Sequence, residues 1–96
     1  MSVTFDDRLL KADGVLFQEL EGESVLLHVS KGEYFGLNES GHRMWLILTE
    51  SDSIQQAYEK LLADYDVEPD HLKRELGELV ENLVENELVQ VAEQAA

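Results

Sequence analysis

The sequence predicts an α+β domain, a three-stranded antiparallel sheet followed by three helices. The apolar pattern of residues 15–37 is strand-like, and it changes to steps of three and four after Asn38. The connections inside the strand region are too short for anything but antiparallel neighbours. Strands and helices are segregated along the chain, which argues against a parallel, alternating sheet. The 96 residues fit one domain and leave no room for a second.

Residues 1–14 carry no strong period and are expected to form an arm or a lead-in strand. Residues 15–20 (VLFQEL) are rich in strand-forming side chains, and Glu21, Gly22 and Glu23 are a turn signal. Residues 24–30 (SVLLHVS) form the second strand, with Val25, Leu27 and Val29 on one face. Lys31 and Gly32 make a short hairpin turn, and residues 33–37 (EYFGL) complete the meander.

Asn38 is a good N-cap, and Met44, Trp45 and Leu48 follow at helical spacing, so the first helix runs from about 39 to 49. Ser53 with Gln56 makes a capping box for a second helix that carries Ile54, Tyr58, Leu61, Leu62 and Tyr65. Residues 66–69 are a loop, and Pro69 suits the first turn of a third helix because its missing N–H is not needed there. Leu72, Leu76, Leu79 and Leu83 form that helix's expected seam, widened by Val80 and Val84. Trp45 and Tyr58 are expected as core aromatics. The domain is bounded at 15–90, with a frayed tail over 91–96. With the helices on one face of the sheet, the unit resembles a winged helix-turn-helix.

Composition narrows the function. Without cysteine there is neither a disulfide framework nor a thiolate metal site. His28, His42 and His71 have no ligand spacing, no nucleophile elbow surrounds a serine, and Gly32, Gly36 and Gly41 are too far apart for a phosphate loop. The expectation is a protein with no catalytic residues, no metal and no cofactor. No secretory signal and no apolar run long enough to span a bilayer is evident, so the default location is the cytoplasm. The net charge of −14 repels nucleic acid and anionic membranes. A DNA-binding winged helix is the rival reading. Its recognition helix would carry Asp70, Glu75, Glu78, Glu81, Glu85 and Glu87 against only Lys73 and Arg74, and that field decides against it.

The stretch KGEYFGLNESGHRMW carries a resemblance. Leu26-Leu27, Gly32, Tyr34, Phe35, Leu37, Asn38, Gly41 and Trp45 follow a pattern similar to that of the PqqD family, also called RiPP recognition elements. Downstream, Tyr65-Asp66-Val67-Glu68-Pro69 and Leu79, Leu83 and Leu88 fit the same pattern, so the likeness covers about residues 14–90. It departs at Glu87, where a glycine is usual, and at Glu75, where an aspartate is usual. In size and strand motif the chain looks most like the stand-alone leader-binding proteins of lasso-peptide clusters.

The resemblance implies a peptide binder that captures the leader of a ribosomally made precursor and presents it to a leader peptidase or another maturation enzyme. The alternative is the peptide chaperone of pyrroloquinoline quinone biosynthesis, which hands its precursor to a radical enzyme. The leader is expected to add as a strand on the edge formed by Glu33, Tyr34, Phe35, Gly36 and Leu37. That edge has no proline and one charge at its rim, so it is not blunted against pairing. By the period of two, Phe35 and Leu37 face the helices. The helix-3 residues assigned to the groove are Lys73, Leu76, Gly77, Val80 and Val84. Gly77 stands out because glycine inside a helix costs about 1 kcal/mol relative to alanine.

Overall fold

A computed structural model describes residues 3–92. Its elements are β1 (Arg8–Lys11), β2 (Val15–Leu20), β3 (Glu23–His28), β4 (Glu33–Leu37), α1 (Glu39–Glu50), α2 (Ile54–Asp64), α3 (Pro69–Glu85) and β5 (Val89–Ala92). β2, β3 and β4 form the expected antiparallel meander, in that order. The three helices follow it, with α1 packed on the sheet and α2 and α3 behind. The core joins Val15, Leu26 and Leu37 of the sheet to Trp45, Leu48, Leu61, Leu76 and Leu83 of the helices. No helix among the described residues is long and apolar enough to cross a membrane.

Local chemistry sets the helix starts. The Asn38 side chain accepts from the Gly41 amide at 2.9 Å, and Ser53 accepts from the Gln56 amide at 3.0 Å. Each satisfies an amide that has no partner inside its helix. α3 begins with Pro69 in its first turn.

Several boundaries differ from expectation. β3 spans Glu23–His28, so the second hairpin closes over residues 29–32 rather than over Lys31 and Gly32 alone. Val25 and Val29 do share a face, but it is the solvent face; Ser24 and Leu26 point into the core. On α3 the buried seam is Leu72, Leu76, Val80 and Leu83, while Leu79 is half-buried.

The largest difference is a second, two-stranded sheet. β1 pairs antiparallel with β5, from Arg8 opposite Ala92 to Lys11 opposite Val89. A frayed tail beginning at 91 is therefore corrected for Val91 and Ala92, which are paired; residues 93–96 lie outside the described residues. The cause is burial: Leu9, Leu88 and Val89 all close the core, so the chain ends are drawn together. The N-terminal segment also closes α2, because the carbonyls of Phe5 and Asp7 accept from the amides of Gln55 and Ile54.

α3 ends in a tight cap. The Leu88 amide bonds to the Leu83 carbonyl at 2.9 Å and the Glu87 amide to the Val84 carbonyl at 3.1 Å. This is the Schellman pattern, and it places Glu87 at φ 57°, in the left-handed region. Glu87 also ion-pairs with Lys31 of the β3–β4 hairpin. The hydrogen bond between them raises the Lys31 ammonium above its ordinary pKa and lowers the Glu87 carboxyl below its own. The left-handed region costs a residue with a Cβ roughly 1 kcal/mol or more, and glycine is free of that cost. Glu87→Gly is therefore expected to raise the melting temperature by about 3–8 °C. A fall on thermal denaturation would show instead that the pair with Lys31 dominates.

Candidate functional site

The free backbone of the sheet is fixed by hydrogen-bond parity. The β2–β3 hairpin turns on two residues, Glu21 and Gly22, at φ 53° and 84°. This is a type I′ turn, which closes on a hydrogen-bonded pair, here Leu20 and Glu23. Alternation along the ladder then aims the peptide groups of Ser24, Leu26 and His28 at β4, where Leu37, Phe35 and Glu33 stand opposite. The bond from the Val29 amide to the Gly14 carbonyl has the same parity.

The N–H and C=O groups of Tyr34 and Gly36 are left pointing off the sheet. Neither residue makes a backbone hydrogen bond outside the sheet among those described. Among the described residues the N-terminal strand does not cover this edge, because β1 is paired with β5. Side chains follow the alternation: Leu37 is buried, Phe35 half-buried against the core, and Tyr34 is 74% exposed on the outer face.

The two ends of α3 lie near opposite ends of β4. Beyond its C-terminal end, Glu87 holds Lys31, two residues before β4. In its first two turns, His71, Leu72 and Glu75 share a cavity of about 80 Å³ with Ser40 and Met44, which closely follow β4. The flank of α3 on this side includes Glu75 and Leu79, because successive residues turn by about 100°. Phe35 of β4 and Leu79 of α3 are both half-buried against the core.

The expected site residues fall into two groups that the fold does not bring together. Glu33 through Leu37 form the free edge. Leu76 is fully buried in the seam and Val80 nearly so. Gly77, Val80 and Val84 line a separate groove of about 350 Å³ with Val3, Phe5 and Ile54. The Lys73 ammonium lies 5.5 Å over the Phe5 ring on the same side. That groove is on the far flank of α3 from Glu75. Helical periodicity defines two flanks beside a seam, but it carries no information on which of them a distant strand will approach. Glu75, on the flank that meets the start of α1, carries no signal in the sequence, whereas Leu79 is evident as part of the stripe.

The other free edge, on β2, is less accommodating. The carbonyl of Val15 already accepts from the Lys11 ammonium, and Glu19 adds a charge.

The fold is also that of known proteins. A family model described as coenzyme PQQ synthesis protein D (PqqD) matches residues 23–89, from the first residue of β3 into β5. The chain belongs to the PqqD family. Among solved structures it is similar to TbiB1 in complex with the TbiA(beta) leader peptide, at 31% identity and a TM-score of 0.77, over 84% of this chain and 94% of that one. It is also similar to lasso peptide synthetase B1 complexed with the leader peptide, at 27% identity and a TM-score of 0.70, over 88% of this chain and 98% of that one. No curated protein matches the chain.

One polar cluster in this PqqD-family chain has the residue types of a hydrolytic triad. The Ser24 hydroxyl lies 3.1 Å from His42 Nδ1, and His42 Nε2 lies 3.6 Å from a Glu19 carboxylate oxygen. Ser24 and His42 are only 3% and 5% exposed. The imidazole is stacked on Phe17, which stacks in turn on Trp45. The cluster ties β2, β3 and α1 together beneath the sheet. Among the described residues no group of three or more His, Asp or Glu could hold a metal ion. Ser24→Ala strands a buried ring nitrogen and is expected to cost about 1–3 kcal/mol in urea denaturation. An unchanged midpoint would mean the hydrogen bond contributes nothing.

Proposed function

We propose that this chain captures the leader segment of a ribosomally made precursor peptide as an added strand on β4. It then presents that precursor to a maturation enzyme, such as a leader peptidase, in lasso-peptide biosynthesis, and it catalyses no step itself. The observation that carries this reading is the free backbone edge of Tyr34 and Gly36, with half-buried Phe35 between them. An extended guest pairs its backbone with the edge and sends alternate side chains toward Phe35 and Leu79. The cavity of about 80 Å³ between α1, α2 and α3, near the end of β4, accepts one compact apolar side chain.

Family membership supports the reading, and so do two relatives that share the fold over most of their length and hold leader peptides. The family's description, a coenzyme PQQ synthesis protein, keeps a chaperone in quinone-cofactor biosynthesis as the second reading. The relative described as lasso peptide synthetase B1 favours the first.

The magnitudes suffice. Four backbone hydrogen bonds at about 0.5–1.5 kcal/mol net, with two buried apolar anchors at about 1.5–3 kcal/mol each, exceed the several kcal/mol lost in ordering the guest. The favourable end of these terms leaves up to about 10 kcal/mol, a dissociation constant of tens of nanomolar at the tightest. Backbone pairing tolerates many sequences, so specificity rests on the anchors.

Gly36→Pro tests the edge without opening the sheet. Proline is accepted on an edge strand when its missing N–H faces outward, as that of Gly36 does. In fluorescence titration with labelled leader peptides, the TbiA(beta) leader first, the variant is expected to bind at least about tenfold more weakly than the wild type. Its melting temperature should be nearly unchanged. Equal affinity would remove β4 as the binding edge, and no leader binding by the wild type would remove the function.

A further inference from the structure

We infer that the groove on the far flank of α3 is a second polypeptide-binding site, which docks a basic, apolar-centred surface segment of the enzyme that processes the guest. This rests on the reading of β4 as the leader edge, but it concerns different residues. The groove holds about 350 Å³, and its walls are the apolar side chains of Phe5, Ile54, Val80 and Val84. Nothing in the described chain fills it.

Gly77 lies in its lining, in the middle of a helix of 17 residues. Apart from proline, glycine is the least favourable residue there. Close packing does not explain it, because a Cβ built at Gly77 would meet no atom within 4 Å. Backbone conformation does not explain it either, since Gly77 is not among the residues with positive φ. What the missing side chain does is keep the groove deep.

Charge selects the occupant. Glu81 and Glu85 are exposed, one turn apart, along one side of the groove. The neighbouring Lys73 is engaged with the Phe5 ring. The complement is a large apolar side chain between lysines or arginines. A second copy of this chain, itself at −14, is a poor match. The guest on β4 lies across a helix about 10 Å wide, so both sites can be filled at once. Handing a bound peptide to an enzyme requires that double occupancy.

The probe is a fluorescein-labelled synthetic peptide with one central tryptophan flanked on each side by two lysines. It is titrated into the full chain alone and into the chain already saturated with the TbiA(beta) leader. Binding in the micromolar range is expected in both states, weakening as salt is raised. Gly77→Leu places its side chain in open space and improves the helix, so the fold is kept and checked by thermal denaturation. It should weaken the basic peptide at least about tenfold and leave the leader titration unchanged. Glu81→Lys with Glu85→Lys should do the same.

Equal binding of the peptide by the wild type and Gly77→Leu would overturn the site, since it would report only diffuse attraction to an acidic protein. So would no binding by the wild type, or a self-association abolished by Gly77→Leu. A loss of leader affinity in Gly77→Leu would also overturn it, by assigning the groove to the leader. Failure of the leader to bind the wild type at all is a separate result, which removes the guest on β4 and not the groove.

Discussion

Hydrogen-bond parity in the meander is set at one place, the two-residue turn at Glu21 and Gly22. Both residues take positive φ, so the hairpin closes on a hydrogen-bonded pair and every later peptide group has its direction assigned. The consequence appears two strands away, where Tyr34 and Gly36 turn their N–H and C=O groups off the sheet. A one-residue shift would aim different groups outward and would also exchange the buried Phe35 and Leu37 face for the exposed Tyr34 face. The same alternation therefore sets both the backbone offered to a guest and the side chains that receive it.

α3 is tied to both ends of that edge. Its seam of Leu72, Leu76, Val80 and Leu83 fixes its rotation, and its two ends fix its position. At one end the Schellman cap leads to Glu87, whose carboxylate holds Lys31 at the base of β4. At the other, His71 and Glu75 meet the start of α1. The N-terminal segment is occupied elsewhere: β1 pairs with β5 and the carbonyls of Phe5 and Asp7 close α2. That arrangement leaves the β4 edge free and forms one wall of the groove on the opposite flank.

Much of this was legible in the residues. The period of two ends and the period of 3.6 begins at Asn38 because that side chain caps a helix, and the structure turns there. The meander, the three helices and the chemistry of the β4 edge follow from such local signals. The β1–β5 sheet does not, because strands of four residues carry too little alternation to be read and their pairing joins opposite ends of the chain. That Lys73, Gly77 and Val84 lie on the flank of α3 away from Glu75 is not legible either, for a related reason. A helical wheel gives angles within one helix, whereas the side that meets β4 is decided by how α1 and α2 carry the chain around. Glu87 shows the opposite situation: the absence of the usual glycine was visible in the sequence, and its physical meaning, a side chain held in the left-handed region, needed the backbone.

Pairing of the guest with Tyr34 and Gly36 is read at the amides themselves by hydrogen–deuterium exchange at single-amide resolution. Adding leader peptide is predicted to slow exchange at the Tyr34 and Gly36 amides by at least an order of magnitude, with no change at Phe17 and Glu19 on the opposite edge. Protection of Phe17 and Glu19, or leader binding that leaves Tyr34 and Gly36 exchanging freely, would contradict it.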